Sequence, residues 1–400
     1  MDLGGAVVHR LRPRRRFGDF AAVGKVTRRP QAAKLPCVQQ MQSETCPLIR
    51  PLRGHLTLSP LAFGHLPLTR GVGPQGEGLE KADGEISLRP SIYQSHIQNK
   101  NQNDPRKKVC TMKIAQLFGK GKTVFSCEVF PPKKTSPVDS IYKTLDGLKD
   151  IHPDFISVTF GAGGSSNVNQ STAEIASIIQ NQYHITAMAH LTCVGCTKGE
   201  ATEILAQLKN SGVENVLALR GDRNPDFPPK EDFLHADELV SFIHRRGDFG
   251  VSAACYPEGH PESPDLITDV RYLKQKVDAG AQHLVSQLFF DNDDFFRFLE
   301  RCRIAGIEVP IEAGIMPVLN RSSIERMVSL CGASMPRKLT RILARYGDHP
   351  AALREAGMAY AIDQIADLMA AGVDGIHLYT MNNPAVAKQI SASIASIRNV

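Results

Sequence analysis

Four hundred residues, 42% apolar and 22% charged, describe an ordinary globular chain with room for one large core and additional material. No apolar run approaches the roughly 20 residues of a membrane-spanning helix, and nine cysteines, an odd count without disulfide-like spacing, fit a reducing compartment such as the cytoplasm. The net charge of +6 invites a nucleic-acid role, but residues 1–111 hold 18 Lys and Arg against 8 Asp and Glu while residues 112–400 hold 29 against 33, so no nucleic-acid partner is read from the mildly acidic remainder.

Residues 1–111 are rich in Arg, Pro, Gly, Gln and Ser and show neither helical nor strand periodicity, so they are expected to be a disordered basic extension. Its acidic residues and length do not resemble a compact transit peptide, and its scarcity of aromatics argues against a nucleic-acid-binding tail. A natural start at Met112, eleven residues before the first strand, makes non-native upstream sequence the preferred reading.

From Thr123 onward one pattern recurs eight times: a short apolar run ending in a polar or small residue, a loop, then an amphipathic helix. The runs are Thr123–Glu128, Phe155–Thr159, Ile185–Thr192, Asn215–Asp222, Gly250–Tyr256, His283–Gln287, Val309–Ile315 and Asp374–Thr380. Strands alternating with helices predict βαβ units, and eight of them over about 250 residues predict a closed (β/α)8 TIM barrel spanning 112–400. Reacting groups in such barrels sit where the strands end, and Glu128, Thr159, His190, Asp222, Tyr256 and Gln287 fall there.

Glu128 closes the first run just before two prolines, and walling by Phe125, Val129 and Phe130 would disfavour its ionised form, as suits a general acid; a strand-end Glu facing water is the alternative. The fourth run ends in Arg220-Gly221-Asp222: Arg suits a phosphate or carboxylate, Gly a close backbone approach to a ligand, and Asp a ring N–H or a developing cation, unless the pair merely braces a loop. His190 lies inside the third run, where a lone histidine is commonly a satisfied core residue, and with no second ligand at metal spacing no metal is expected. Cys193 and Cys196 form a single C-x-x-C, with neither the second pair of a zinc site nor a thioredoxin-like setting. Gly161-Ala-Gly-Gly-Ser-Ser lacks a nucleotide fingerprint's spacing. After the fifth run come Tyr256 and His260, then Asp269, Tyr272 and Lys276 at i, i+3 and i+7 of a helix, a face that could meet a large anionic ligand or simply be solvated. The Gln287 amide could read a heterocycle edge or bond its own backbone.

Taken together, Phe125-Ser-Cys-Glu-Val-Phe-Pro-Pro, Ser157-Val-Thr-Phe-Gly-Ala, His190-Leu-Thr-Cys, Ala218-Leu-Arg-Gly-Asp, Ala254-Cys-Tyr-Pro-Glu-Gly-His-Pro, Lys276-Val-Asp-Ala-Gly-Ala and Ser286-Gln-Leu-Phe-Phe-Asp resemble, in this order and spacing, the methylenetetrahydrofolate reductase family over roughly residues 112–398. The resemblance implies an FAD-dependent barrel that reduces 5,10-methylenetetrahydrofolate to 5-methyltetrahydrofolate with NADH or NADPH by ping-pong kinetics, in one-carbon metabolism and methionine synthesis. It assigns Thr159, His190, Arg220, Gly221, Asp222, Tyr256, His260, Asp269 and Lys276 to the flavin, and Glu128, Asp222 and Gln287 to the folate. It also implies a homo-oligomer.

Four positions depart from the family's bacterial pattern: Asn383 for an Arg, Ser323 for a Gln, Met327 for an aromatic and Gln275 for an Arg, which bear on the folate tail, nicotinamide and flavin phosphate. NADH is the first choice of donor, with NADPH or a ferredoxin-linked partner protein behind it. An end at Val400 leads to the expectation that the eukaryotic regulatory domain and control by adenosylmethionine are absent. Two other readings stand beside this one: an FAD-holding subunit that reduces folate only with an electron-transfer partner, and a non-redox folate-binding barrel. A lysine-imine aldolase has no strand-end lysine to use.

Overall fold

All eight apolar runs form strands, and in the computed structural model they close on one another in the order β1 to β8, each parallel to its neighbours. The structure describes residues 112–132, 139–160, 166–222 and 230–400, without the side chains of 139 and 166–171. The expected 1–111 extension and the glycine-rich stretch beginning at Gly161 lie outside the described residues.

The strands are β1 Val124–Val129, β2 Phe155–Val158, β3 Thr186–Thr192, β4 Asn215–Leu219, β5 Gly250–Cys255, β6 His283–Ser286, β7 Ile311–Ile315 and β8 Gly375–Tyr379. Parallel pairing aligns Glu128 with Ser157 on one side and with Tyr379 on the other, which closes the cylinder. The ladder stops one to three residues before the ends read from sequence in β2, β4, β5, β6 and β8, so Thr159, Asp222, Tyr256, Gln287 and Thr380 stand in the loops just beyond it.

Side chains alternate across each strand. In β1, Phe125, Cys127 and Val129 face outward into the layer between strands and helices, whereas Val124 joins an inner floor with Phe155, Met188, Leu217 and Val285. A 3-10 turn, Ile114–Leu117, seals that floor: Ile114 is buried in it, its N–H donates to Asn215, and Phe118 stacks on His283 with 4.9 Å between centroids.

The helices are α1 Asp139–Lys149, α2 Ser166–Asn181, α3 Lys198–Asn210, α4 Ala236–Arg246, α5 Leu266–Asp278, α6 Asn292–Ile304, α7 Arg321–Cys331, α8 Arg337–Tyr346, α9 Pro350–Ala370 and α10 Pro384–Ser393. The simple repeat breaks down between β7 and β8, which are joined by three helices instead of one. Gly332, left-handed at the end of α7, Pro336 before α8 and Pro350 opening α9 punctuate what the pattern presented as one helical stretch. No helix among the described residues is long and apolar enough to cross a membrane.

Candidate active site

Glu128 is 7% exposed, but its surroundings differ from the expected apolar wall. Alternation turns Phe125 and Val129 away into the outer layer, where Arg398 lies over the Phe125 ring at 4.4 Å. Glu128 instead points into the barrel, with Oε2 3.6 Å from both His190 Nε2 and His377 Nε2. The loop beyond it is pinned by Asn382, whose amide accepts from Phe130 N–H at 2.8 Å and donates to Phe130 O at 2.9 Å. Thr380 Oγ1 donates to the carbonyl of Glu128 itself at 2.6 Å. The acid is therefore held from the β8 side as firmly as from its own strand.

His190 is neither a passive core residue nor a charged partner. Burial pulls its imidazole down to about 4, against the pull of Glu128, and Nε2 has no hydrogen bond among the described residues. Tyr379, at the end of β8, donates to Ser286 O at 2.7 Å, and burial followed by the nearby Glu128 holds its phenol well above the usual range. Gly314 makes this possible: a Cβ there would lie 2.3 Å from Ser286 O and 2.8 Å from the Tyr379 hydroxyl. The sequence reading missed Tyr379, His377 and Glu312, although His377 and Glu312 are polar positions inside apolar runs.

Across the mouth, Arg220 clasps Glu262 with two hydrogen bonds of 2.6 and 2.9 Å, which raise the guanidinium's pKa. Gly221 carries φ +85°, and an added Cβ would sit 3.0 Å from Thr192 Cβ and 3.1 Å from Val194 Cγ1. Its glycine is thus required by the turn and by packing on the β3 loop, where close approach to a ligand was expected. Asp222 is exposed and near enough to Tyr256 and Cys331 to raise both their pKa values, secondarily to burial.

Asp269 and Lys276 turn inward from α5, whereas Tyr272 is 48% exposed, so the expected three-residue face reduces to two. Asp269 Oδ1 accepts from His260 N–H at 3.1 Å and Ser263 Oγ at 2.6 Å, bracing the β5 loop. Lys276 donates to Ala254 O at 3.0 Å, and burial lowers its pKa. His260 packs edge-on against Tyr256 at 4.7 Å and accepts from Glu262 N–H through Nδ1, leaving the neutral ring protonated at Nε2. Burial, then Arg220, lowers its pKa. Burial pushes the Tyr256 phenol, which also meets Gln287, up to about 12. Gln287 Oε1 accepts from Leu288 N–H at 2.8 Å, so half of that amide serves the backbone. Thr159 is half-buried and its carbonyl accepts from Thr172.

Cys193 and Cys196 are buried free thiols, pushed by burial to about 12 and about 11, and poorly suited to thiolate chemistry. Asn383 caps α10 by accepting from Val386 N–H, Ser323 and Gln275 are exposed, and Met327 packs in the cluster that includes Tyr379.

These features define a parallel (β/α)8 barrel with a buried acid, Glu128, flanked by imidazoles at its strand ends, and a rim of paired charges in which Arg220 meets Glu262 and Lys276 lies near Asp269. The sequence profile of methylenetetrahydrofolate reductase matches residues 113–395, and the chain belongs to that family. It is 38% identical over 285 residues to methylenetetrahydrofolate reductase (NADH) 1 of Arabidopsis thaliana, covering 68% of this chain and 48% of that one. It is 34% identical over 262 residues to 5,10-methylenetetrahydrofolate reductase of Escherichia coli K12, covering 66% and 87%. The chain thus spans about half the length of its plant relatives. A solved structure of a Clostridium thermocellum protein that binds two copies of 5-methyl-5,6,7,8-tetrahydrofolic acid shares the fold, with TM-score 0.50, 14% identity, and coverage of 70% of this chain and 95% of that one.

Proposed function

We propose that the barrel reduces 5,10-methylenetetrahydrofolate to 5-methyltetrahydrofolate with NADH, in two half-reactions separated by release of the first product. The observation that carries this is a buried carboxyl, Glu128, between two imidazoles at the strand ends of a chain in this family.

FAD is the cofactor this reading requires, and the rim fits it. The Arg220 fork already holds a carboxylate in the planar two-point geometry a phosphate also takes, Lys276 and His260 stand on the adjoining loop and helix, and the unpartnered His190 Nε2 offers a buried polar contact. Thr159, Gly221, Tyr256 and Asp269 would complete the cradle. When bound, FAD supplies a two-electron store that accepts hydride from a nicotinamide and yields it to a carbon electrophile.

The chain's own residues handle the folate. Opening the five-membered ring requires a proton on the leaving nitrogen, which Glu128 donates, and leaves an iminium cation that the Asp222 carboxylate stabilises. Gln287, with one end of its amide bonded to backbone, orients the pterin edge. Free thiols at all six described cysteines support a reducing, cytoplasmic setting.

The test is the visible spectrum of the purified full chain under anaerobic conditions. The protein should be yellow, bleach with NADH, and regain colour on adding methylenetetrahydrofolate. A colourless protein that binds folate, or a yellow one inert to NADH, would refute it.

A further inference from the structure

Below Glu128 a file of polar side chains runs down the barrel, each from a different strand and each within reach of the next. His377 Nε2 lies 3.6 Å from Glu128 Oε2, and its Nδ1 lies 2.6 Å from Ser126 Oγ. Ser126 Oγ is 2.9 Å from Glu312 Oε1, and Glu312 Oε2 is 3.2 Å from His283 Nε2. His283 Nδ1 then meets Ser252 Oγ at 3.0 Å. Ser252 and His283 end the file at the opposite, N-terminal face of the barrel, beneath the Ile114–Leu117 turn, in a crevice too narrow to hold a water. The members of the file are almost wholly buried, and two facing atoms, Glu312 Oε2 and His283 Nε2, make no hydrogen bond in this arrangement. Buried ionisable groups are costly unless paired, and a small barrel usually fills its interior with apolar side chains.

Resting on the reading of Glu128 as the acid, we propose that this file is a proton relay that reloads Glu128 from the N-terminal face of the barrel. Each turnover consumes one proton, and Glu128 is already 7% exposed before a substrate stands on it. The steps move protons alone. After Glu128 has given its proton to the leaving nitrogen, His377 Nε2–H passes one to the carboxylate, while Nδ1 takes the Ser126 hydroxyl proton. Ser126 takes one from Glu312, Glu312 is refilled by His283 Nε2–H, His283 Nδ1 takes the Ser252 hydroxyl proton, and Ser252 regains one from water at the N-terminal face when the Ile114–Leu117 turn opens. The hydroxyl can donate to Glu312 or to His377, and switching between these two arrangements is the transfer step. The other groups facing the file, His190, Tyr379 and Ser157, meet it at Glu128 and His377 and lie off the line.

Ser126→Ala cuts the file without removing a charge, Glu312→Gln keeps its shape without a transferable proton, and Ser126→Thr restores the hydroxyl. In pre-reduced protein the first folate turnover should fall far less than later ones, with steady-state turnover down about a hundredfold in the first two variants, the lower range of positioned proton transfer, and recovered in the third. In 15N-histidine NMR of the folded proteins, the His377 Nδ1 signal should move in both Ser126→Ala and Glu312→Gln. Wild-type steady-state turnover in both variants, equal loss of first and later turnovers, or a His377 signal indifferent to Glu312 would overturn the relay. Folate reduction by Glu128→Gln would instead overturn the acid reading beneath it.

Discussion

At the scale of single residues, the chemistry-bearing types were legible but their neighbours were not. Glu128, Arg220, Asp222 and Lys276 announce themselves by type and position, yet no sequence pattern says that Glu128 faces His377, 249 residues away in the chain, because the contact exists only once β8 closes onto β1. Gly221 illustrates the converse. Its type was read as room for a ligand, while its φ of +85° and the Thr192 contact show a backbone requirement. Gly221→Ala is therefore expected to lose about 1–2 kcal/mol from the left-handed conformation alone, read as a lowered midpoint in urea, and to weaken FAD binding by shifting Arg220. Unchanged stability would contradict the strain argument.

At the scale of elements, the strands were readable because buried parallel strands are near-continuous apolar runs, and polar residues inside them at alternate positions, Ser126, His283, Glu312 and His377, carried a signal that went unused. The three helices between β7 and β8 were not readable as such, since their amphipathic stretches run together and only Gly332, Pro336 and Pro350 divide them. Gly314 couples two elements to the site. Gly314→Ala is expected to cost about 1–3 kcal/mol by overpacking and, by driving Tyr379 off Ser286, to slow folate reduction more than reduction by NADH. Equal effects on both half-reactions would contradict a coupling of Gly314 through Tyr379 to Glu128.

At the scale of the whole molecule, the barrel stores a pH dependence. His190 titrates near 6.5 when unfolded and at about 4 when folded, so above about 6.5 both states are neutral and nothing is lost. As pH falls from about 6.5 to about 4 the unfolded chain takes up the proton and the folded one does not, which removes on the order of 3 kcal/mol of stability. His190→Gln should flatten the urea midpoint over that window; an unaltered slope would contradict the burial argument.

The central claim is that Glu128 supplies the proton that opens the folate ring and takes no part in accepting electrons from NADH. Stopped-flow absorbance of Glu128→Gln separates the two: bleaching by NADH should proceed at the rate of the unaltered protein, while reoxidation by methylenetetrahydrofolate should fall by about a hundredfold or more. Equal slowing of both phases, or reoxidation at the unaltered rate, would contradict the account.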